Sequence, residues 1–105
     1  MNRGEVGWAE LGGDAGYRPV AVVSRADGIA ARFNLTIAEV TRVVRHIPCE
    51  VPLSRFQGMP SDCVINTDNL HTIPRVRLRE RIIALNDEQL FALGNALRYS
   101  LDLEW

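Results

Sequence analysis

At 105 residues, with 47% apolar and 24% charged residues, the chain reads as a single domain spanning 1–105 with a modest core. This composition argues against disorder, and no apolar run approaches the roughly eighteen residues that a membrane-spanning helix needs. A net charge of −1 argues against a polyanion partner on charge alone, yet residues 18–81 hold ten of the twelve arginines against six acids, a local balance of +4, and there is no lysine.

Val6, Trp8 and Leu11 suggest a first strand, and Gly12 to Gly16 a turn or flexible loop. Arg18 to Ser24 is a β-branched run short enough for a buried strand. Ser24 is positioned to cap a short helix running through Arg32, with Asp27 near its positive end. Asn34 to Thr41 alternates, with Leu35, Ile37, Glu39 and Thr41 on one face and Thr36, Ala38 and Val40 on the other. Cys49 to Leu53 is a fourth strand entered through Pro48, and Ser54 to Ser61 is a polar loop. Asp62 to Asn69 reads as a central strand that Leu70 to Ile73 either continue or follow as the next edge; Pro74 stops it. Arg75 to Leu78 suits one helical turn before a strand at Arg79 to Leu85.

The C-terminal segment has the clearest helix signal. Asn86 is the N-cap, and Gln89, three residues on, completes a capping box. Leu90, Leu93, Leu97 and Leu101 recur at helical spacing and form the apolar stripe. Gly94 interrupts this helix at a cost of about 1 kcal/mol relative to alanine, which a close backbone contact would explain. Several short strands followed by one helix predict an α+β fold built on a small, curved antiparallel sheet.

Cys49 and Cys63 are the only cysteines and read as buried thiols of a reducing compartment. With His46 and His71 they make no metal-ligand pattern. The N-terminal stretch carries Glu5 and Glu10 and lacks the apolar segment of a secretory leader, so a cytoplasmic location is expected.

Short motifs occur in a fixed order: Gly4-Glu5-Val6-Gly7-Trp8-Ala9-Glu10-Leu11, Tyr17-Arg18-Pro19-Val20-Ala21-Val22-Val23-Ser24, Val40-Thr41-Arg42, Ile47-Pro48-Cys49-Glu50-Val51, and Cys63 through Ile73. Together they resemble the MazF/PemK/Kid toxins of bacterial toxin–antitoxin pairs over almost the whole chain. The resemblance implies an SH3-like barrel with short helices and a C-terminal α-helix, assembled as a homodimer. It further implies an endoribonuclease that cuts single-stranded RNA at short sequences without a metal or cofactor and is inhibited by the acidic tail of a cognate antitoxin.

That chemistry needs a base to take the proton of the ribose 2′-hydroxyl, positive charge or strong donors on the phosphate, and an acid for the departing 5′-oxygen. RNA supplies its own nucleophile, so no covalent residue is required. Arg18 matches the family arginine that precedes proline, and is the expected catalytic group holding the scissile phosphate. Its pKa, above about 12 in the free residue, favours electrostatic stabilisation over a literal base role. Thr41 matches the family threonine, whose hydroxyl can donate to a phosphate oxygen. Arg42 and Arg45 suit backbone-phosphate contacts. Asp68 lies in Asp-Asn-Leu-His-Thr, similar to a family stretch, and would accept from a base edge, orient Arg18 or simply shape a turn. The Kid branch has a catalytic arginine two residues earlier, where this chain has Asn66, so the Arg18–Thr41 version is preferred. His71 stands where relatives carry arginine, glutamine or lysine and suggests RNA contact. Trp8 and Tyr17 flank the expected groove and can stack on unpaired bases, with a core role as the alternative for Trp8.

Two other readings remain open at this stage. The gyrase-poisoning toxin CcdB shares the barrel and acts through its terminal helix, for which Leu101, Leu103 and Trp105 would be the determinants. A non-catalytic RNA-binding module is the second.

Overall fold

A computed structural model of the chain describes residues 1–25, 27, 28 and 30–103. Six strands form one curled antiparallel sheet: β1 (Glu5–Glu10), β2 (Tyr17–Val22), β3 (Asn34–Thr41), β4 (Glu50–Leu53), β5 (Cys63–Pro74) and β6 (Leu78–Ala84), followed by helix α1 (Asp87–Ser100). The spatial order is β4-β5-β3-β2-β1-β6. The result is the expected α+β half-barrel with a C-terminal helix.

The middle strands are buried on both faces, which explains why Val20, Ala21 and Val22 are successively apolar and all fully inaccessible. Alternation sends Val6, Ala21, Ala38, Val40 and Ile65 into one cluster, closed by Leu93 and Ala96 of α1. It sends Ala9, Val20, Val22, Leu35 and Ile37 into a second, closed by Ala31, Ile73 and the half-buried Met1. The two predicted faces of β3 thus pack into two different cores. Pairing between β3 and β5 shifts register between Ala38 and Glu39, and this bulge lets β5 run unbroken through Pro74. Leu70 to Ile73 therefore continue the strand rather than starting an edge.

Helix α1 begins as its sequence demands. Asn86 Oδ1 accepts from the Gln89 N–H at 2.8 Å, and Gln89 Oε1 accepts from the Asn86 N–H at 3.2 Å. Leu93 and Ala96 are its buried residues, whereas Leu101 is half exposed. Two expectations are corrected. Ser24 does not cap a helix: its Oγ accepts from the Thr36 N–H at 2.9 Å, tying the end of β2 to β3. Only a single 3-10 turn, Ala30–Arg32, forms in this stretch, and Ala26 and Ile29 lie outside the described residues. Nor does Gly94 meet a close neighbour, because a Cβ there would have open space. The tight approach of the helix is at Gly4, with φ +88°, where a Cβ would lie 2.5 Å from Leu90 Cδ2. Cys49 and Cys63 are both free and buried.

Candidate active site

The site originates in a break in strand pairing. Val22 O accepts from Gly4 N, and Val23 N donates to Thr36 O. Backbone polar groups alternate sides along a strand, so those of Val23, Ala21 and residue 19 point toward β3. Residue 19 is proline and has no N–H to give. The β2–β3 ladder accordingly runs from Val22↔Ile37 to Val20↔Glu39 and stops. Stepping two residues further along each strand brings Arg18 and Thr41 to facing positions, where no pairing holds the strands together.

A groove of 480 Å³ opens there, lined by Arg18, Pro19, Thr41, Arg42 and Trp8, with Val40, Val43, Met59, Pro60, Ser61 and Cys63. None of these residues is acidic. Arg18 is exposed and its Nε donates to Ala15 O at 2.7 Å, which anchors the side chain to the Gly12–Gly16 turn. Neither the Arg18 nor the Arg42 guanidinium has a carboxylate partner among the described residues. Their charge is uncompensated in a concave surface, the arrangement that attracts phosphate. Thr41 Oγ1 accepts from the Val43 N–H at 3.1 Å, so its hydroxyl hydrogen is left for another acceptor.

Trp8 and Tyr17 stack beside the groove with centroids 5.2 Å apart and an 11° interplanar angle. The register pairs Trp8 with Pro19 and Glu10 with Tyr17, so the two rings are diagonal cross-strand neighbours on one face. Trp8 is half-buried and lines the groove, while Tyr17 is 52% exposed.

The remaining expected residues lie outside the groove lining. Arg45 is exposed in the 42–49 connection, whose shape is fixed by Glu50: its carboxylate accepts from the Arg45 and His46 N–H groups at 2.9 to 3.2 Å. His46 there has φ +56°. His71 Nε2 pairs with Glu39 Oε2 at 2.8 Å on the outer surface. Asp68 is exposed at the β5 bulge, and its N–H donates to Asn66 Oδ1 at 2.9 Å. Its carboxylate neighbours the Cys49 thiol; burial first, then this carboxylate, holds that thiol above its ordinary range.

The far wall of the groove, Met59 to Ser61, belongs to the loop read only as polar. Its shape has a sequence signal, the Ser54-x-x-Gln57 capping box, which forms: Ser54 Oγ accepts from Phe56 N and Gln57 Oε1 from Ser54 N. Nothing local to the sequence indicated that this turn would face Arg18. Among the described residues no group of three or more His, Cys, Asp or Glu side chains is placed to hold a metal.

Comparisons with known proteins identify the family and the fold. Residues 2–101 match the family model described as PemK-like, MazF-like toxin of type II toxin–antitoxin system. The chain is 39% identical over 102 residues to the probable endoribonuclease MazF2 of Mycobacterium tuberculosis (strain ATCC 25618 / H37Rv), covering 95% of this chain and 97% of that protein. It is 31% identical over 113 residues to endoribonuclease EndoA of Bacillus subtilis (strain 168), covering 98% and 96%. Among solved structures, Mycobacterium tuberculosis toxin MazF-mt6 is similar with a TM-score of 0.85 and 32% identity, over 96% of this chain and 99% of that one. A mycobacterial endoribonuclease solved with its cognate antitoxin shares the fold at a TM-score of 0.85 and 24% identity, over 100% and 98%.

Proposed function

From the premise that the chain belongs to the PemK-like, MazF-like toxin family, we propose that it is a sequence-specific endoribonuclease acting on single-stranded RNA, the toxin of a type II toxin–antitoxin pair. The observation that carries this reading is the Arg18 guanidinium, without a carboxylate partner among the described residues, beside Thr41 in a groove whose lining has no acidic residue. In this reading the RNA backbone crosses the unpaired ends of β2 and β3, and Arg18 holds the scissile phosphate. The ribose 2′-hydroxyl loses its proton to a base, its oxygen bonds to phosphorus, and the bond from phosphorus to the 5′-oxygen breaks. The departing oxygen takes a proton, leaving a 2′,3′-cyclic phosphate and a 5′-hydroxyl. Arg18 and the Thr41 hydroxyl stabilise the charge that grows on the phosphate oxygens, where preorganised donors have their largest effect. Arg42 contacts an adjacent phosphate, and Trp8 with Tyr17 supplies a stacking surface for an unpaired base. Arg45, Asp68 and His71, which lie beyond this groove, serve as contacts to flanking nucleotides.

The partners are single-stranded RNA, a second copy of the chain and an antitoxin whose acidic segment competes for the arginine-lined groove, all in the cytoplasm. Among the described residues no helix is long and apolar enough to cross a membrane. The family match favours RNA over gyrase as the target, and Trp105, one of the residues a gyrase contact would require, lies outside the described residues. The decisive experiment is cleavage of an RNA oligonucleotide carrying a single 2′-deoxy or 2′-O-methyl substitution at the mapped cut. Loss of cutting at that bond alone is expected, with EDTA having no effect. Cutting of the modified bond at the normal rate would sink the mechanism.

A further inference from the structure

The groove has two unlike walls. One carries Arg18, Thr41 and Arg42, whose charge and hydroxyl suit a phosphodiester. The other carries no charge: Met59, Pro60 and Ser61, above a floor of Val40 and Cys63. Met59, Cys63 and Val40 are each 5% exposed or less, so this floor is apolar and packed into the core cluster that α1 closes. Pro60, exposed above this floor, offers an uncharged face from which a charged backbone gains nothing and on which the flat face of a nucleobase can lie.

The uncharged wall is also held in place. Gly58 sits at φ +117°, where a Cβ would meet Ile83 Cγ2 at 3.2 Å, so the chain turns there against β6. Arg55 N donates to Asp62 Oδ1 at 3.0 Å, closing the loop across its base. Gln57 and Gln89 exchange amide hydrogen bonds at 2.8 and 2.9 Å, fastening it to the first turn of α1. Within this fixed segment Ser61 is half-buried and lines the groove, and its accessible hydroxyl has no hydrogen-bond partner among the described residues. A hydroxyl both donates and accepts, so it can read either kind of group on a base edge.

We propose that Met59 to Ser61 form a base-reading pocket, with Ser61 the residue that sets sequence preference at one nucleotide next to the cut. This rests on the endoribonuclease reading above and extends it: phosphate is gripped on the arginine wall, and one unpaired base is laid on Pro60 with its edge to Ser61. A base with the wrong edge leaves the hydroxyl and its own polar group unpaired in a semi-enclosed site, and discrimination arises from that mismatch.

The test maps cut sites of the wild-type protein and of Ser61→Ala on one RNA pool of randomised sequence, by sequencing the new 5′ ends. Removing a hydroxyl that bonds nothing among the described residues should leave the fold intact. Preference at a single position should relax, with the ratio of kcat/KM for best and next-best base falling by roughly tenfold. Pro60→Ala, which removes the exposed ring under the base, should broaden preference at that same position. If both variants cut at the wild-type consensus with unchanged ratios, the base-pocket assignment is overturned while the nuclease reading stands. If the wild-type protein cuts no RNA, both fall together.

Discussion

Arg18 and Thr41 occupy facing positions on β2 and β3, two residues beyond Val20↔Glu39, the last pair of that ladder. Pro19 between them is the reason they are not zipped together, since its backbone faces β3 and cannot donate. The substitution Pro19→Ala restores an N–H opposite Val40, and the ladder should extend by one pair. The amide of residue 19 should then be protected from hydrogen exchange, and the groove should narrow. We expect kcat/KM to fall by on the order of tenfold with the fold retained, a shift of about 1.4 kcal/mol in transition-state binding. A freely exchanging amide at residue 19, with full activity, would contradict this account of the groove.

The Arg18 side chain makes one hydrogen bond, to Ala15 O, and no ion pair among the described residues. Its removal should therefore cost activity and not stability. Arg18→Ala is expected to lower kcat by on the order of 100-fold or more, as loss of a preorganised transition-state contact does. Its unfolding free energy should stay within about 0.5 kcal/mol of wild type, the range of ordinary surface substitutions. Arg18→Lys should recover only part of the rate, because an ammonium cannot present two parallel donors to phosphate. A folded Arg18→Ala protein with near-normal nuclease activity would remove Arg18 from the mechanism.

Tyr17 covers one face of Trp8 and is itself half exposed. If an RNA base joins this stack, Trp8 fluorescence should change on binding a non-cleavable 2′-O-methyl oligonucleotide, and Trp8→Phe should abolish that change. Tyr17→Ala should weaken binding by about tenfold, since base–aromatic stacking contributes roughly 1–3 kcal/mol per base. Unaltered affinity in Tyr17→Ala would confine this pair to a packing role.

Much of this arrangement was legible in the sequence because it depends on local pattern. The alternation of Asn34 to Thr41 defines both faces of β3, and Asn86 with Gln89 marks the helix start. Arg18, Thr41, Arg42 and Trp8, singled out by the family resemblance and not by local pattern, line one groove. What local pattern could not convey was long-range placement. Met59, Pro60 and Ser61 lie in a loop whose only signal is its capping box, and their approach to Arg18 depends on how the sheet curls. Ser24 has an N-cap's chemistry, but tertiary pairing claimed its oxygen for Thr36. Asp68 and His71 belong to the last motif yet lie outside the groove lining, one beside Cys49 and the other paired with Glu39.

Cys49 and Cys63 provide the last prediction. Burial pushes both thiols above their ordinary range, reinforced by Asp68 beside Cys49 and Asp62 beside Cys63. Both should be protonated and nearly inert to a disulfide reagent in the native protein at neutral pH, and react promptly once it is unfolded. The same shifts fix the alkaline behaviour. With a folded pKa above the unfolded value, the folded state holds more protons once pH exceeds the unfolded thiol value of about 8.5. The thiol contribution to stability is complete below that pH and declines as pH rises toward the folded pKa. Urea unfolding at pH values from about 7.5 to 10 should therefore show a falling free energy whose slope is reduced in the Cys49→Ala/Cys63→Ala protein. The double variant will be less stable at every pH because two buried side chains are shortened, so the comparison is of slopes and not of levels. Equal slopes in the two proteins, or rapid labelling of both native thiols, would show that these groups are not held in the environment described.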